Sequence, residues 1–311
     1  MNIKNITIIG TGGVGGYFGF KINEANTNSL FHITFLARKT TYQVIKRKGL
    51  TLLSPEHKNN VTKPDAIIED ISVIKKPDLI LICVKEYDLE NVCKQLLSVI
   101  NEKTILLPLM NGADIYDRIR KIITHNTILP ACVYVASHIK EKGIIEHKGI
   151  TGKIVLGKDP NYPHEDIQWV ISILENSGAI IDFQEDAFPA IWTKFMFIAS
   201  FGLVTARYNQ PIGNVCENEV LRQRATEIMQ EIEKIAKMKN IPLANDVIAA
   251  TFVKAKTFPP STPTSLQLDV NTNKENNELN LFAGAIINYG KTYNINTQHT
   301  QTIYNEIIEK L

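Results

Sequence analysis

The sequence predicts an α/β fold in two parts, a parallel sheet buried on both faces followed by an all-helical segment. Three observations predict it. Four β-branched residues in a row, Ile6-Thr7-Ile8-Ile9, run directly into a glycine-rich turn. Short apolar runs then alternate with helical periodicity as far as about residue 185, the pattern of β-α-β units. From about residue 187 the strand signals fade and long helical periodicity takes over. The boundary is placed near Glu185, giving parts 1–185 and 186–311.

The first strand and its turn carry the most information. Consecutive β-branched residues suit a strand buried on both faces. Gly10, Gly12 and Gly15 follow as G-x-G-x-x-G within Gly10-Thr11-Gly12-Gly13-Val14-Gly15. Gly10 permits the tight turn, Gly12 lets a pyrophosphate approach the backbone, and Gly15 lets the next helix pack close to the strand. The helix N-terminus offers free N–H groups and partial positive charge to phosphates. The position of the motif, after a strand and opening a helix, points to dinucleotide binding.

Composition excludes several classes. With 311 residues, 44% hydrophobic and 21% charged, the chain is long enough for two domains with a sizeable core. A net charge of +2 gives no argument for a nucleic-acid partner or an anionic membrane. No uninterrupted apolar run approaches the ~18 residues of a membrane span, and the first strand leaves no room for a signal peptide. Cys83, Cys93, Cys132 and Cys216 show no C-x-x-C spacing, so reduced thiols in a cytoplasmic protein are expected and no metal site is.

In chain order, residues 14–26 predict a helix and Phe31–Ala37 a second strand, ending in Arg38-Lys39. A β-α-β dinucleotide unit that selects NAD places an acid here for the ribose 2′-hydroxyl. Two cations instead suit a 2′-phosphate, so NADP(H) is the expected cofactor. A short helix at 41–48 and an irregular or small-strand excursion over 50–75 follow. The next buried strand, Pro77–Lys85, ends in Lys85, and a later one, Thr104–Leu109, is followed by Asn111-Gly112. Ligands of open α/β sheets lie outside the carboxyl ends of the strands, which puts Lys85 and Asn111 in range of the cofactor. Surface lysines and Asn-Gly turns also occur at such places. Helices are expected at 88–100, 114–123 and 164–176. Glycines at 143 and 149–152 suggest hairpins adding antiparallel strands to the parallel sheet, with a last strand at 179–183.

The second part opens with a helix over about 189–207 that is apolar nearly all round and therefore buried. Lys194 is the one cation in its run Ile191–Thr205. A desolvated ammonium is costly unless paired or used, and lysine shifts its pKa readily, which suits proton chemistry; a snorkelling structural lysine is the other reading. Helices over 217–239, 243–256, 277–290 and 297–310 complete the part, interrupted by Phe258-Pro259-Pro260-Ser261-Thr262-Pro263-Thr264-Ser265. Glu278 stands at the N-terminal end of its helix, where dipole stabilisation alone accounts for it. Buried helices here allow a homodimer without demanding one.

Taken together and in this order, Gly10–Gly15, Arg38 after the second strand, Val84-Lys85, Asn111-Gly112, Trp192-x-Lys194, Ser265-x-x-x-Asp269 and Glu278-x5-Gly284 resemble the ketopantoate reductase (2-dehydropantoate 2-reductase) family over essentially the whole chain. The resemblance implies a Rossmann-type domain and a helical domain related to the C-terminal domain of 6-phosphogluconate dehydrogenases. It implies NADPH-dependent reduction of a small-molecule 2-keto acid, ketopantoate, to a D-type 2-hydroxy acid, the step that makes pantoate for pantothenate and coenzyme A. Gly10 to Gly15 (Thr11, Gly13 and Val14 included) would hold the pyrophosphate and Arg38 the 2′-phosphate. Lys85 and Asn111 would face the cofactor, Asn111 touching substrate as well. Lys194 would be the general acid, Glu278 its partner at the reacting oxygen, and Ser265 the carboxylate binder.

Two departures bear on substrate. The family pattern has Asn one and two turns beyond the catalytic lysine, where this chain has Ile198 and Gly202, and the Asp269–Glu278 spacing is a residue longer. A helix with Phe195, Phe197, Ile198 and Phe201 suits branched or aromatic 2-keto acids, as reduced by D-2-hydroxyacid dehydrogenases of the same family. Ser200 and Thr205 could instead replace the lost polar groups. A dinucleotide-binding sensor without catalysis is a third reading, against which both Lys194 and Glu278 speak.

Overall fold

The computed structural model describes residues 3–56 and 60–311. Its strands are β1 (Lys4–Ile9), β2 (Phe31–Leu36), β3 (Leu50–Leu53), β4 (Asn60–Thr62), β5 (Ala66–Ile68), β6 (Leu79–Ile82), β7 (Ile105–Pro108), β8 (Ala131–Glu141), β9 (Ile144–Gly157) and β10 (Ile180–Gln184). Its helices are α1 (Gly13–Ala25), α2 (Lys39–Lys48), α3 (Glu86–Leu96), α4 (Ile115–Arg120), α5 (Gln168–Asn176), α6 (Phe188–Tyr208), α7 (Ile212–Glu217), α8 (Glu219–Met238), α9 (Val247–Ala255), α10 (Ser265–Asn271), α11 (Ala285–Tyr293) and α12 (Gln298–Ile308). The chain divides into two units, Met1–Asn111 with Ile115–Ala187, and Gly112–Asp114 with Phe188–Leu311. Residues 57–59 of the predicted excursion lie outside the described residues.

In the first unit, β1, β2, β5, β6 and β7 form an all-parallel sheet in the order β5-β2-β1-β6-β7. Ile6, Ile8 and Ile9 are fully buried, as are Leu79–Ile82, which is why these strands read as continuous apolar runs. The strand order reverses direction at β1, so the carboxyl ends of β1, β2 and β6 border a switch point.

The hairpin strands do not extend this sheet, as the sequence suggested. β8 pairs antiparallel with β9, and β9 pairs parallel with both β3 and β10, giving a second sheet in the order β10-β9-β3-β4. Beyond β7 the first sheet gains only an isolated bridge, Leu106 to Ile128. Pro130 faces the second sheet, its carbonyl accepting from Gly157 N–H at 2.9 Å. The first half of β9 (Ile144–Glu146) lies on β3 and the second (Lys153–Gly157) on β10. Helix α1 packs between the sheets, and Phe18, Phe35, Leu81, Leu52 and Ile154 share one core. Buried Lys21 of α1 donates to Glu56 Oε2 at 2.8 Å, and Thr151 donates to Oε1 at 2.5 Å.

The second unit is helical, as expected. α6 is its central helix, packed by α8, α9, α10 and α12. By length and apolarity it could cross a membrane, yet 61% of that window is buried, as in a core helix. Its burial is not all round: Thr193 is exposed and Lys194, Phe197 and Ile198 are half-buried. A second cation, Arg207, lies in its last turn and pairs with Glu306. The helix predicted over 217–239 begins at Glu219 because Asn218 caps it, accepting from Leu221 N–H at 3.1 Å. The predicted helix at 277–290 is a π-helical turn, Asn280–Gly284, followed by α11.

Candidate active site

Gly10, Arg38, Lys85 and Asn111 follow β1, β2, β6 and β7, and these strands are parallel, so all four residues come to one edge of the first sheet. Gly10 has φ +94°, and a Cβ there would lie 2.9 Å from the Cys83 carbonyl oxygen. A Cβ on Gly15 would fall on the Gly10 carbonyl oxygen and 2.6 Å from Cys83 Cβ, so only glycine lets α1 sit this close to the strands. Gly12 differs from both, because a Cβ there would meet nothing within 4 Å. Gly12 is the N-cap of α1 and makes no side-chain capping bond. The first turn of α1 thus has open space at Gly12, whereas a Cβ on Gly13 would lie 2.5 Å from the Ser137 carbonyl oxygen; the open side beside the helix start fits a pyrophosphate. Thr11 is buried, and Val14 packs on the core.

Around the neighbouring strand ends the charges are partnered. The Arg38 guanidinium makes a two-pronged contact to Asp88 in the first turn of α3: Nη1 to Oδ1 at 3.2 Å and Nη2 to Oδ2 at 2.5 Å. That hydrogen bonding holds the Arg38 pKa above its ordinary value. Lys39 donates its amide to Glu69 Oε1 at 2.5 Å. Of the two cations predicted for a 2′-phosphate, Arg38 is paired with a carboxylate through its guanidinium, and Lys39 meets one through its backbone amide. Lys85 is the exposed N-cap residue of α3. The nearby Cys83 and Cys93 thiols are pushed up by burial, Cys93 to about 12, so neither is a thiolate.

The remaining predicted residues lie in the second unit. Trp192 is fully buried, its ring 5.6 Å from Tyr289 and 6.2 Å from Phe195. Two residues on, about 200° round the helix, Lys194 leaves the buried face and is half-exposed. One and two turns further along its side come Ile198 and Gly202. Gly202 meets the helices that carry the other two candidates. A Cβ there would lie 3.4 Å from Phe282, one turn beyond Glu278, and 3.8 Å from Leu266, next to Ser265. Glu278 is 6% exposed and precedes the π-helical turn, where its carbonyl accepts from Phe282 N–H at 3.1 Å. Ser265 is exposed in the first turn of α10, which Thr264 and Gln267 close with a capping box.

Two hydroxyls expected to replace the missing amides do not. Ser200 Oγ donates to the Met196 carbonyl at 2.6 Å and Thr205 Oγ1 to the Phe201 carbonyl at 2.7 Å, and both residues are fully buried. Ser200 serves its own helix, while Thr205 also lies 2.6 Å from the hydroxyl of Thr264, the N-cap of α10. Sequence reasoning passed over Asp88 and Phe282. The signal for Asp88 was an acid in the first turn of a helix leaving a strand's carboxyl end; for Phe282 it was the glycine it faces.

A glycine turn at the switch point of a parallel sheet is the arrangement of a dinucleotide-binding fold. Family models described as ketopantoate reductase PanE/ApbA match residues 6–161 and, for the C-terminal part, 186–310. The chain belongs to the ketopantoate reductase family of nicotinamide-dinucleotide-dependent reductases. It is similar to a 2-dehydropantoate 2-reductase of Streptococcus pyogenes serotype M18, with 23% identity over 302 residues, 96% of this chain and 95% of the relative. A PanE/ApbA family ketopantoate reductase from Ralstonia eutropha JMP134 superposes with a TM-score of 0.87 at 22% identity, covering 98% of each chain. D-mandelate dehydrogenase, solved with NADH and anilino(oxo)acetate, does so with a TM-score of 0.85 at 20% identity, covering 98% of each chain. These two likenesses speak to the fold.

Proposed function

We propose that the chain is a 2-dehydropantoate 2-reductase that uses NADPH, making (R)-pantoate for pantothenate and coenzyme A in the cytoplasm. The observation that carries this reading is Lys194, a half-buried lysine on a helix whose neighbouring turns are locked in the core by Trp192, Phe195 and Met196. The bound dinucleotide supplies the hydride. The amides of Gly12 to Gly15 hold its pyrophosphate, Arg38 its 2′-phosphate, and Lys85 and Asn111 its other contacts. Lys194 gives its proton to the keto oxygen, and its charge stabilises the oxyanion that develops there. Glu278 accepts a hydrogen bond that fixes Lys194 or the new hydroxyl. Ser265 donates to the substrate carboxylate.

A second reading, a D-2-hydroxyacid dehydrogenase for branched or aromatic 2-keto acids, is favoured by Ile198 and Gly202. No polar side chain extends from those positions, and the Phe282 ring faces Gly202. Loss of NADPH absorbance with ketopantoate, 2-ketoisovalerate and benzoylformate offered separately distinguishes the readings. Fastest turnover of ketopantoate supports the first, and of either other acid the second. Cofactor binding without turnover of any supports a sensor.

A further inference from the structure

We propose that Asp88 is a cofactor-specificity residue: it competes with the ribose 2′-phosphate for Arg38 and so weakens the preference of this chain for the phosphorylated dinucleotide. The inference rests on the reading that Arg38 faces the 2′ position. Both terminal nitrogens of the Arg38 guanidinium are engaged by Asp88, one by each carboxylate oxygen, at 3.2 and 2.5 Å. A phosphate needs that same planar edge for two-pronged binding. To take it, the phosphate must displace the carboxylate and then sit beside it. A phosphate monoester carries about −1.5 to −2 charges at neutral pH, so the new neighbours repel.

Asp88 is the better anchored partner. Its side chain is 24% exposed against 58% for Arg38, and its amide is tied to the Lys85 carbonyl at 3.0 Å in the first turn of α3. The carboxylate is held in the first turn of the helix, and the more exposed guanidinium lies against it. Glu69, which accepts the Lys39 amide, puts a second negative charge beside the same strand end. A 2′-hydroxyl meets no such penalty, since it can donate to Asp88 and leave the ion pair intact. The pair is exposed enough to add little to folding, so its removal reads out on the ligand.

The test measures dissociation constants for NADPH and NADH by nucleotide fluorescence, without keto acid, on the full chain. The variants are D88N, D88S, R38A and R38A/D88N, each checked by circular dichroism. D88N and D88S are expected to raise the preference for NADPH over NADH roughly five- to tenfold by tightening NADPH. That gain falls with added salt and vanishes in R38A/D88N. If R38A lowers the preference while D88N and D88S leave it unchanged, Arg38 binds the phosphate and the role of Asp88 is overturned. If R38A leaves the preference unchanged, the reading of Arg38 fails and the proposal falls with it.

Discussion

The Phe282 ring lies against Gly202: a Cβ added at 202 would meet Cε2 at 3.4 Å and Cδ2 at 3.5 Å, ordinary contact distances. An alanine fits there, and its better helix propensity is worth about 0.5–1 kcal/mol. An asparagine needs further room beyond a Cβ that already touches the Phe282 ring and Leu266. G202A is expected to fold with unchanged or raised stability, and G202N to lose about 1–3 kcal/mol by overpacking, both read from urea unfolding. I198N, at a half-buried position one turn earlier, is expected to fold and to shift kcat/KM toward ketopantoate relative to benzoylformate. An unchanged ranking of the acids would remove position 198 from the substrate's surroundings.

Gly12 and Gly15 are close in sequence and opposite in physics. A Cβ at 15 collides with the Gly10 carbonyl and with Cys83, whereas one at 12 meets nothing within 4 Å. G15A is expected to lower the thermal midpoint sharply. G12A is expected to melt like the parent and to bind NADPH at least about tenfold more weakly, because its methyl group enters the space a pyrophosphate needs. Calorimetry with titration of the nucleotide checks both. A G12A protein that binds normally would move the pyrophosphate elsewhere.

Lys194 is assigned to the proton and not to the cofactor. K194A is expected to remove about 2–4 kcal/mol of transition-state stabilisation, a loss in kcat of about 30- to 1,000-fold, with NADPH affinity nearly intact. Stopped-flow hydride transfer and fluorescence titration separate the two. Wild-type turnover in the variant would mean that another group protonates the substrate.

Much of this was legible because its signals are local. Ile6 to Gly15 place a buried strand, a tight turn and a helix start within ten consecutive residues, and Gly15 shows by its packing why the spacing is kept. The all-helical second part announced itself through apolar periodicity, although Asn218 and the π-helical turn moved its boundaries. The rest depended on pairings distant in sequence. Leu50 to Leu53 pair locally with β4 but join a larger sheet through β9, some ninety residues later, so the segment read as an irregular or small-strand excursion without a place in a sheet. Arg38 looked like a free cation because Asp88 lies 50 residues away. Ser200 and Thr205 looked available because sequence does not tell an outward hydroxyl from one bonded to its own helix or, as with Thr205, also to a threonine 59 residues away.

Glu56 links this long-range packing to pH. Burial alone would raise its pKa, but hydrogen bonds from Lys21 and Thr151, with the Lys21 charge, outweigh burial and hold it below the usual carboxylate value. Folding therefore favours the charged form. The stability gained is fully present above the unfolded carboxyl pKa, about 4.3, and is lost as pH falls through the lower folded value. Urea midpoints of the parent and of E56Q are expected to differ most near pH 7, where E56Q leaves Lys21, only 6% exposed, without its counter-ion. The gap is expected to narrow below about pH 4.3 as the parent's own carboxylate becomes neutral. A gap that stayed constant from pH 7 to pH 3 would show that Glu56 keeps one protonation state through unfolding, and that the Lys21 ion pair does not set the acid limb of stability.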